Sequence, residues 1–455
     1  MFEDNIIAIS TPPGRGGLGV VRLSGNEALN IAKQFFLPKK KSLNIPPLRP
    51  VLGNLYHPEE KCLFEEAYLI YYPAPKTYTR EDMVELSCHG SPILLEEIIR
   101  LGINAGARLA RPGEFTLRAY LNGRLDIIQA QAVDDLIRAA SFKQARISYN
   151  QLQGSLSRKV TSFREKLIEL LSWVETSIEF PDDETGVSTT QIEESLRQVI
   201  QEVEKLVESY ALGKTYREGL TLTILGRTNV GKSTLFNALL GKNRAIVTPF
   251  PGTTRDYLED RIIIKGSLFS LVDTAGMRYS RHPVEKEGVQ RGKDSAGQAD
   301  GIILIMDASL KETKEDLDLL KLYPEKIRLL LFNKIDLPQK IDKSHIKQTA
   351  GDVPSLEISA LKGINLEKLK DKIYQLFVPQ ENYREEVILH QRQKILLEEI
   401  LSGLCRSLQL LREGYPEEMI AEELRKILPS SGELTGEIRT EEILNKVFNR
   451  FCIGK

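Results

Sequence analysis

The stretch LTLTIL-GRTNVGKS-TLFNALLG, residues 220–241, decides how the middle of this chain folds. Its first six residues are apolar and β-branched, the pattern of a buried strand. Its last eight carry apolar residues at helical spacing. Between them lies G-x-x-x-x-G-K-S in the context such a loop requires, strand before and helix after. The glycines let backbone N–H groups curl around phosphates at a helix N-terminus, where the dipole favours negative charge. Lys232 is placed to reach the β and γ phosphates and Ser233 to ligate magnesium. Asn229, Val230, Gly231 and Thr234 complete the loop. The bland alternative is a glycine-rich turn.

Further along, NKID (333–336) follows the apolar run RLLLF (328–332). A carboxylate at Asp336 accepts two hydrogen bonds, from the ring N–H and the exocyclic amine of guanine. Adenine offers neither in that arrangement, so the acceptor-only group selects GTP. Asn333 and Lys334 belong to the same motif. ISALKG (358–363) comes next, and its Ser359, Ala360 and Leu361 resemble a base-contacting loop. DTAG (273–276) ends the run SLFSLV; Asp273 is expected to hold magnesium through water, with Thr274 and Ala275 beside it and the Gly276 N–H against the γ-phosphate. TPFPGTTRD (248–256) reads as a first switch built from Thr248, Pro249, Phe250, Pro251, Gly252, Thr253 and Thr254, with Thr254 the second magnesium ligand. In order after a phosphate loop, these motifs predict an α/β GTPase that switches as such loops order on the γ-phosphate.

The position after DTAG, where many small GTPases carry a water-orienting Gln, is Met277. A thioether cannot orient water, so another device is needed. Asn229 could help hold a monovalent cation beside the phosphates, or merely stabilise the loop. Glu285 could position water, or be a solvated residue at the start of a charged helix.

Outward from this segment the character changes. Amphipathic stretches run through KVTSFREKLIELLSWVETSIEF, which has no internal Gly or Pro, and through residues 190–216. The same character returns in EEVILHQRQKILLEEILSGLCRSLQLL and PEEMIAEELRKIL, with Pro416 suited to a first helical turn. Neither block makes a complete core alone, and the two predict one discontinuous helical domain, residues 121–217 and 379–455. Residues 218–378 are then an inserted GTPase domain; two separate helical domains are the alternative. Residues 1–120 alternate strand-like runs (6–10, 19–23, 67–72, 83–89) with helix-like ones (26–36, 91–101) around a Pro-rich loop at 37–50, predicting a small α+β domain.

The bulk numbers agree with a multidomain protein. At 455 residues about three domains are expected. A net charge of −1 supplies no global pull toward nucleic acid or anionic membrane, so any nucleic-acid contact needs a local patch or a partner. No apolar run approaches the ~20 residues of a membrane span. The four cysteines and five histidines are scattered, against a zinc site or disulfide framework, and the expected compartment is the cytosol.

TPPGRGG (11–17), RPGEFT (111–116), PGTTRD within the insert and the terminal FCIGK (451–455) together resemble the MnmE (TrmE) family of tRNA modification GTPases along the whole chain. The resemblance implies an N-terminal folate-binding-like domain that mediates homodimerisation and takes a formyl- or methylene-tetrahydrofolate. It implies an FAD-containing partner, MnmG, and a product with a carboxymethylaminomethyl or aminomethyl group on carbon 5 of the tRNA wobble uridine. It also implies a Ras-like GTPase domain activated by potassium-promoted pairing. Carried across, Arg22, Glu85, Arg124 and Lys455 match the folate-contacting positions, although many members have Lys where Arg124 stands. Glu285 matches the catalytic glutamate. Asn229 matches the potassium asparagine, with Thr248, Phe250 and Thr253 as further potassium contacts. Cys452 is a candidate tail nucleophile, or a small buried residue of a fixed tail. Thr228 departs from the family, which has Pro before that asparagine; a fixed φ is lost but no ligand.

A GTP-dependent RNA or ribosome assembly factor is the competing expectation, because the GTPase motifs serve both. The N-terminal domain, the FCIGK tail and the lack of a basic C-terminal module favour the modification reading. A membrane-remodelling GTPase, suggested only by the long helices, lacks a lipid-binding patch.

Overall fold

The computed structural model describes residues 3–39, 45–180, 187–241, 259–273, 299–378, 387–437, 447–448, 451 and 454. The chain divides into two compact units, one of residues 1–134, 151–192 and 409–455, the other of 135–150 and 193–408.

The first unit is built on β1 (Asn5–Ile9), β2 (Gly16–Ser24), β3 (Phe36–Pro38), β4 (Val51–His57), β5 (Cys62–Tyr72), β6 (Met83–Gly90) and β7 (Ala107–Leu109). They form one sheet in the order β3-β4-β5-β6-β2-β1-β7, antiparallel except for the β1–β7 pair. Alternation puts Ile7, Val21, Leu23, Val84 and Leu86 on one face, packed with α1 (Ala28–Lys33) and α2 (Pro92–Asn104). Ile6, Ala8 and Met83 point the other way and pack with Phe115 of α3 (Glu114–Leu121). Arg22 and Glu85 alternate out of phase with their apolar neighbours and so share that second face. The helix expected at 26–36 is shorter than its pattern, because Phe36 leaves it to begin β3.

Arg118 of α3 is buried beside Glu81, Glu114 and Asp4, at 3.0, 3.3 and 2.8 Å. Glu81 also accepts the Ser24 hydroxyl at 2.8 Å, and its carbonyl accepts Thr77 Oγ1 at 2.6 Å. A buried ionic cluster of this kind is costly to break by halves. It fixes the loop at 77–82, which carries Tyr78. Of the helical segments in this unit, α6 (Ser155–Glu179) packs with α13 (Glu417–Thr435), and Arg425 pairs with Glu175 at 2.6 Å. Pro416 stands at the N-cap of α13, immediately before its first turn.

α4 (Ile127–Ile137) and α5 (Phe142–Leu152) precede α6, and α7 (Thr189–Glu218) follows it and leads into the six strands of the second unit. These are β8 (Leu220–Leu225), β9 (Glu259–Ile264), β10 (Ser267–Asp273), β11 (Gly301–Asp307), β12 (Ile327–Asn333) and β13 (Ser355–Glu357). Their order is β13-β12-β11-β8-β10-β9, parallel except for β9. α8 (Lys232–Leu240) and α11 (Leu366–Phe377) contribute to the core on one face, and α9 (Lys314–Leu322) and α10 (Lys343–Ala350) to the core on the other. Every residue of β11 is buried, as a central parallel strand requires. Ligands of such sheets bind outside the carboxyl ends of the strands.

The run VILH, expected to open a helix, lies outside it, and α12 (Gln391–Arg412) starts after it. The Gln393 side chain accepts the N–H groups of Leu389 and His390, both at 3.2 Å, and Ser209 accepts that of Ile388. Gly213 of α7 makes this possible, since a Cβ there would lie 2.0 Å from the Ile388 carbonyl oxygen. Nearby, the buried Asp135 accepts Arg217 Nε at 3.1 Å, and its other oxygen lies 2.7 Å from His390 Nε2. One carboxylate thus holds the residues on either side of the six-stranded sheet in sequence.

Candidate functional site

The phosphate loop lies where its sequence places it, between the end of β8 and the start of α8. Gly231 is the N-cap, with φ +101, and Asn229 is also left-handed, at φ +63. Val230 is buried, whereas the side chains of Asn229, Ser233 and Thr234 are exposed. Lys232 curls over its own loop and donates to the carbonyls of Gly226 and Arg227, both at 2.7 Å. Those carbonyls hold the ammonium above the loop, where a phosphate would meet it.

The base-reading loops meet the phosphate loop through Asn333. Its Nδ2 donates to the Val230 carbonyl at 2.8 Å and its Oδ1 accepts the Ala360 N–H at 2.9 Å. Lys334, at φ +64, donates to the Asn229 carbonyl at 2.8 Å and to Asp307 at 2.6 Å. Asp336 is exposed beyond them. The buried Ser359 accepts the Lys362 N–H at 3.2 Å, closing the turn that presents Ala360 and the exposed Leu361. Asp273 ends β10 beside Ile224, so its backbone reaches the same edge of the sheet. Sequence reasoning missed Asp307 and Arg227, which lies 3.5 Å from the buried Asp316. The signal for Asp307 is a charged residue ending the apolar run GIILIM.

Thr248, Pro249, Phe250, Pro251, Gly252, Thr253, Thr254, Thr274, Ala275, Gly276, Met277 and Glu285 lie outside the described residues. Among the described residues no cluster of three or more His, Cys, Asp or Glu could hold a metal. The donor chemistry present is of another kind. Ser233 offers a hydroxyl at a helix N-terminus, suited to magnesium that takes its remaining ligands from phosphate and water. Asn229 offers an exposed amide oxygen, a neutral donor suited to potassium.

The first unit carries a second constellation. Arg22 Nε donates to Glu85 at 2.7 Å between adjacent strands, and Tyr72 donates to the other Glu85 oxygen at 3.3 Å. Both members of the pair are about a quarter exposed, at 25% and 22%. Arg124 stacks 4.7 Å from the Tyr78 ring and donates to the Tyr78 carbonyl at 2.9 Å. Burial raises the pKa of the Tyr78 phenol, while its hydrogen bond with Thr116 and then the charges of Arg124 and Arg22 partly oppose that shift. Cys452 and Lys455 lie outside the described residues. Gly454 between them accepts from the Ser10 hydroxyl at 3.3 Å, and a Cβ there would lie 2.2 Å from the Ile9 carbonyl oxygen. Gly454 therefore lies against the end of β1, whose Ala8 pairs with Arg22. A paired carboxylate and guanidinium fit the N–H groups and the acid tail of a folate. Tyr72 and Tyr78 were not anticipated from sequence.

The model of the MnmE helical domain matches residues 127–452, and that of the GTP-binding protein TrmE N-terminus matches residues 5–124. The tRNA modification GTPase MnmE of Thermoanaerobacter sp. (strain X514) is 40% identical over 461 residues, covering 100% of both chains. That of Aquifex aeolicus (strain VF5) is 42% identical over 456 residues, again 100% of both. Among solved structures, the G domain of the T. maritima FeoB iron transporter is 31% identical, covering 34% of this chain and 98% of that one at a TM-score of 0.27. No helix among the described residues is long and apolar enough to cross a membrane. Full-length identity at this level, joined to a phosphate loop braced by a guanine motif, makes the chain a GTPase that belongs to the MnmE family of tRNA modification GTPases.

Proposed function

We propose that this protein is a cytoplasmic, homodimeric, potassium-activated GTPase that modifies carbon 5 of the tRNA wobble uridine with an FAD-containing partner of the MnmG type. In this reading residues 218–378 are a GTPase domain inserted into a discontinuous helical domain, 121–217 and 379–455, with residues 1–120 as the folate-binding and dimerisation domain. The observation that carries it is the Arg22–Glu85 pair on the face opposite α1 and α2, with Gly454 against the end of the neighbouring strand. A folate site at this pair favours the modification reading over an assembly factor.

Arg22, Glu85, Arg124 and Lys455 hold a tetrahydrofolate derivative, whose role is to supply the one-carbon unit. Ser233 and Thr254, with Asp273 through water, hold magnesium; Asn229, Thr248, the Phe250 carbonyl and Thr253 hold potassium, whose charge stabilises that developing between the β and γ phosphates. Lys232 binds the phosphates, Asp336 reads guanine, and Glu285 orients the attacking water in place of the absent Gln. Hydrolysis follows pairing of two GTPase domains and gates the modification, whose chemistry lies elsewhere in the dimer.

The experiment is mass spectrometry of tRNA from a strain lacking the gene. Wobble uridines unmodified at carbon 5 are expected. Fully modified tRNA would return the assembly-factor reading to the front.

A further inference from the structure

Asp307 closes an otherwise apolar strand, and the guanine-nucleotide motifs do not call for a carboxylate at that point. The residue is only 3% exposed. Its Oδ1 accepts the N–H and the hydroxyl of Ser309 at 2.9 and 2.6 Å, and its Oδ2 accepts the Lys334 ammonium at 2.6 Å. That same ammonium donates to the Asn229 carbonyl at 2.8 Å. Burial alone would raise the Asp307 pKa, but the hydrogen bonds from Lys334 and Ser309 outweigh it, so the group stays charged.

Two features make this more than a local contact. Lys334 and Asn229 both sit in the left-handed region, which asparagine tolerates but which costs a lysine backbone energy that its surroundings must offset. A lysine stem also has many rotamers of similar energy, and ordering it is entropically costly. A buried, fully bonded carboxylate at the far end selects one of them. The selected rotamer then ties the peptide at Asn229 to the loop of Asp336.

We propose that Asp307 is a positioning residue for GTP binding and turnover. It holds Lys334, and through Lys334 it fixes the backbone of Asn229, so that the guanine loop and the phosphate loop move as one piece. It does not itself touch the nucleotide. The inference rests on reading residues 226–233 and 333–336 as the nucleotide loops.

The test is release of mant-GDP from the full chain in potassium-free sodium buffer, compared among wild type, Asp307→Asn and Ile373→Ala. The last variant opens a cavity beneath α11 and controls for general loss of stability. Loss of one charge-assisted hydrogen bond should speed release about tenfold in Asp307→Asn, with Ile373→Ala within about twofold of wild type. Because the effect runs through Lys334, Asp307→Asn should add nothing further in a Lys334→Met background. Unchanged release in Asp307→Asn, or full additivity with Lys334→Met, overturns the inference. Should Asp307→Asn fail to fold, Ser309→Ala carries the test, with about threefold faster release expected from one weakened bond; no change there overturns it. Wild-type protein that does not retain mant-GDP at all would instead overturn the reading of the loops, and the inference with it.

Discussion

Asn333 is fastened to the two loops it must align: its amide donates to Val230 at 2.8 Å while its carbonyl oxygen accepts from Ala360 at 2.9 Å. The base motif is therefore rigid before any base arrives, and binding need not supply the energy to order it. This geometry depends on what lies beside it.

Gly231 is the neighbour that permits the contact. A Cβ there would stand 2.3 Å from Asn333 Nδ2, and φ is +101. Gly231→Ala should strain the backbone and push Asn333 off Val230, weakening mant-GTP binding by at least about tenfold. Fluorescence titration measures this; wild-type affinity would show the close approach to be dispensable.

Met277 leaves the water without its usual Gln, so turnover should depend on Glu285 and on the cation. Glu285→Ala is expected to bind GTP normally and to lose about 100-fold or more in kcat. Wild-type hydrolysis should be much faster in potassium than in sodium at equal ionic strength. Equal rates in the two salts would remove Asn229 from its assigned role, and near-normal kcat would remove Glu285.

Asp135 makes a pH-dependent contribution to stability. Burial would raise its pKa, but His390 and Arg217 together hold it below the ordinary value. A depressed carboxylate stabilises fully above its unfolded pKa, about 3.9, and loses that contribution as pH falls through the folded value. Asp135→Asn should cost about 2 kcal/mol at pH 7, below the usual cost for a wholly buried pair because Arg217 is 25% exposed. Urea melts at pH 7 and pH 3 check it; a gap that did not narrow in acid would contradict the ionic account.

Cys88 should be silent in the native protein. Burial, with Glu65 adding to it, pushes its thiol up to about 11. At pH 8 iodoacetamide should label the exposed Cys62 and spare Cys88 until the protein is unfolded. Peptide mass spectrometry reads both sites, and early labelling of Cys88 would show that the core around it opens.

What could be read from sequence was whatever local pattern determines. β8, the phosphate loop and α8 follow from the run LTLTILGRTNVGKS, because strand, turn and helix each carry their own signature. The seven-stranded sheet was only partly legible. β7 is three residues long and exists through its pairing with β1, some hundred positions away in sequence. β4 contains Gly53, which looks like a breaker but makes room for Phe36; a Cβ there would lie 2.4 Å from that ring. The apolar VILH continues a helical pattern yet stays out of the helix, since its place is set by Gly213 and Gln393. Asp307 escaped notice for a related reason: its partner Lys334 is on another strand's end. Tyr72 and Tyr78 likewise join the Arg22–Glu85 constellation only in three dimensions.

The grip of Asp135 on both Arg217 and His390 gives the chain a splice point. Where polypeptide leaves a helical frame and rejoins it at the same carboxylate, a few glycines could bridge the gap and close the frame without its intervening sheet. The reverse graft is equally open, because the removed segment carries its own core and both nucleotide loops. A fold with such a junction can acquire or exchange a switch as a cassette, with little redesign on either side of the seam.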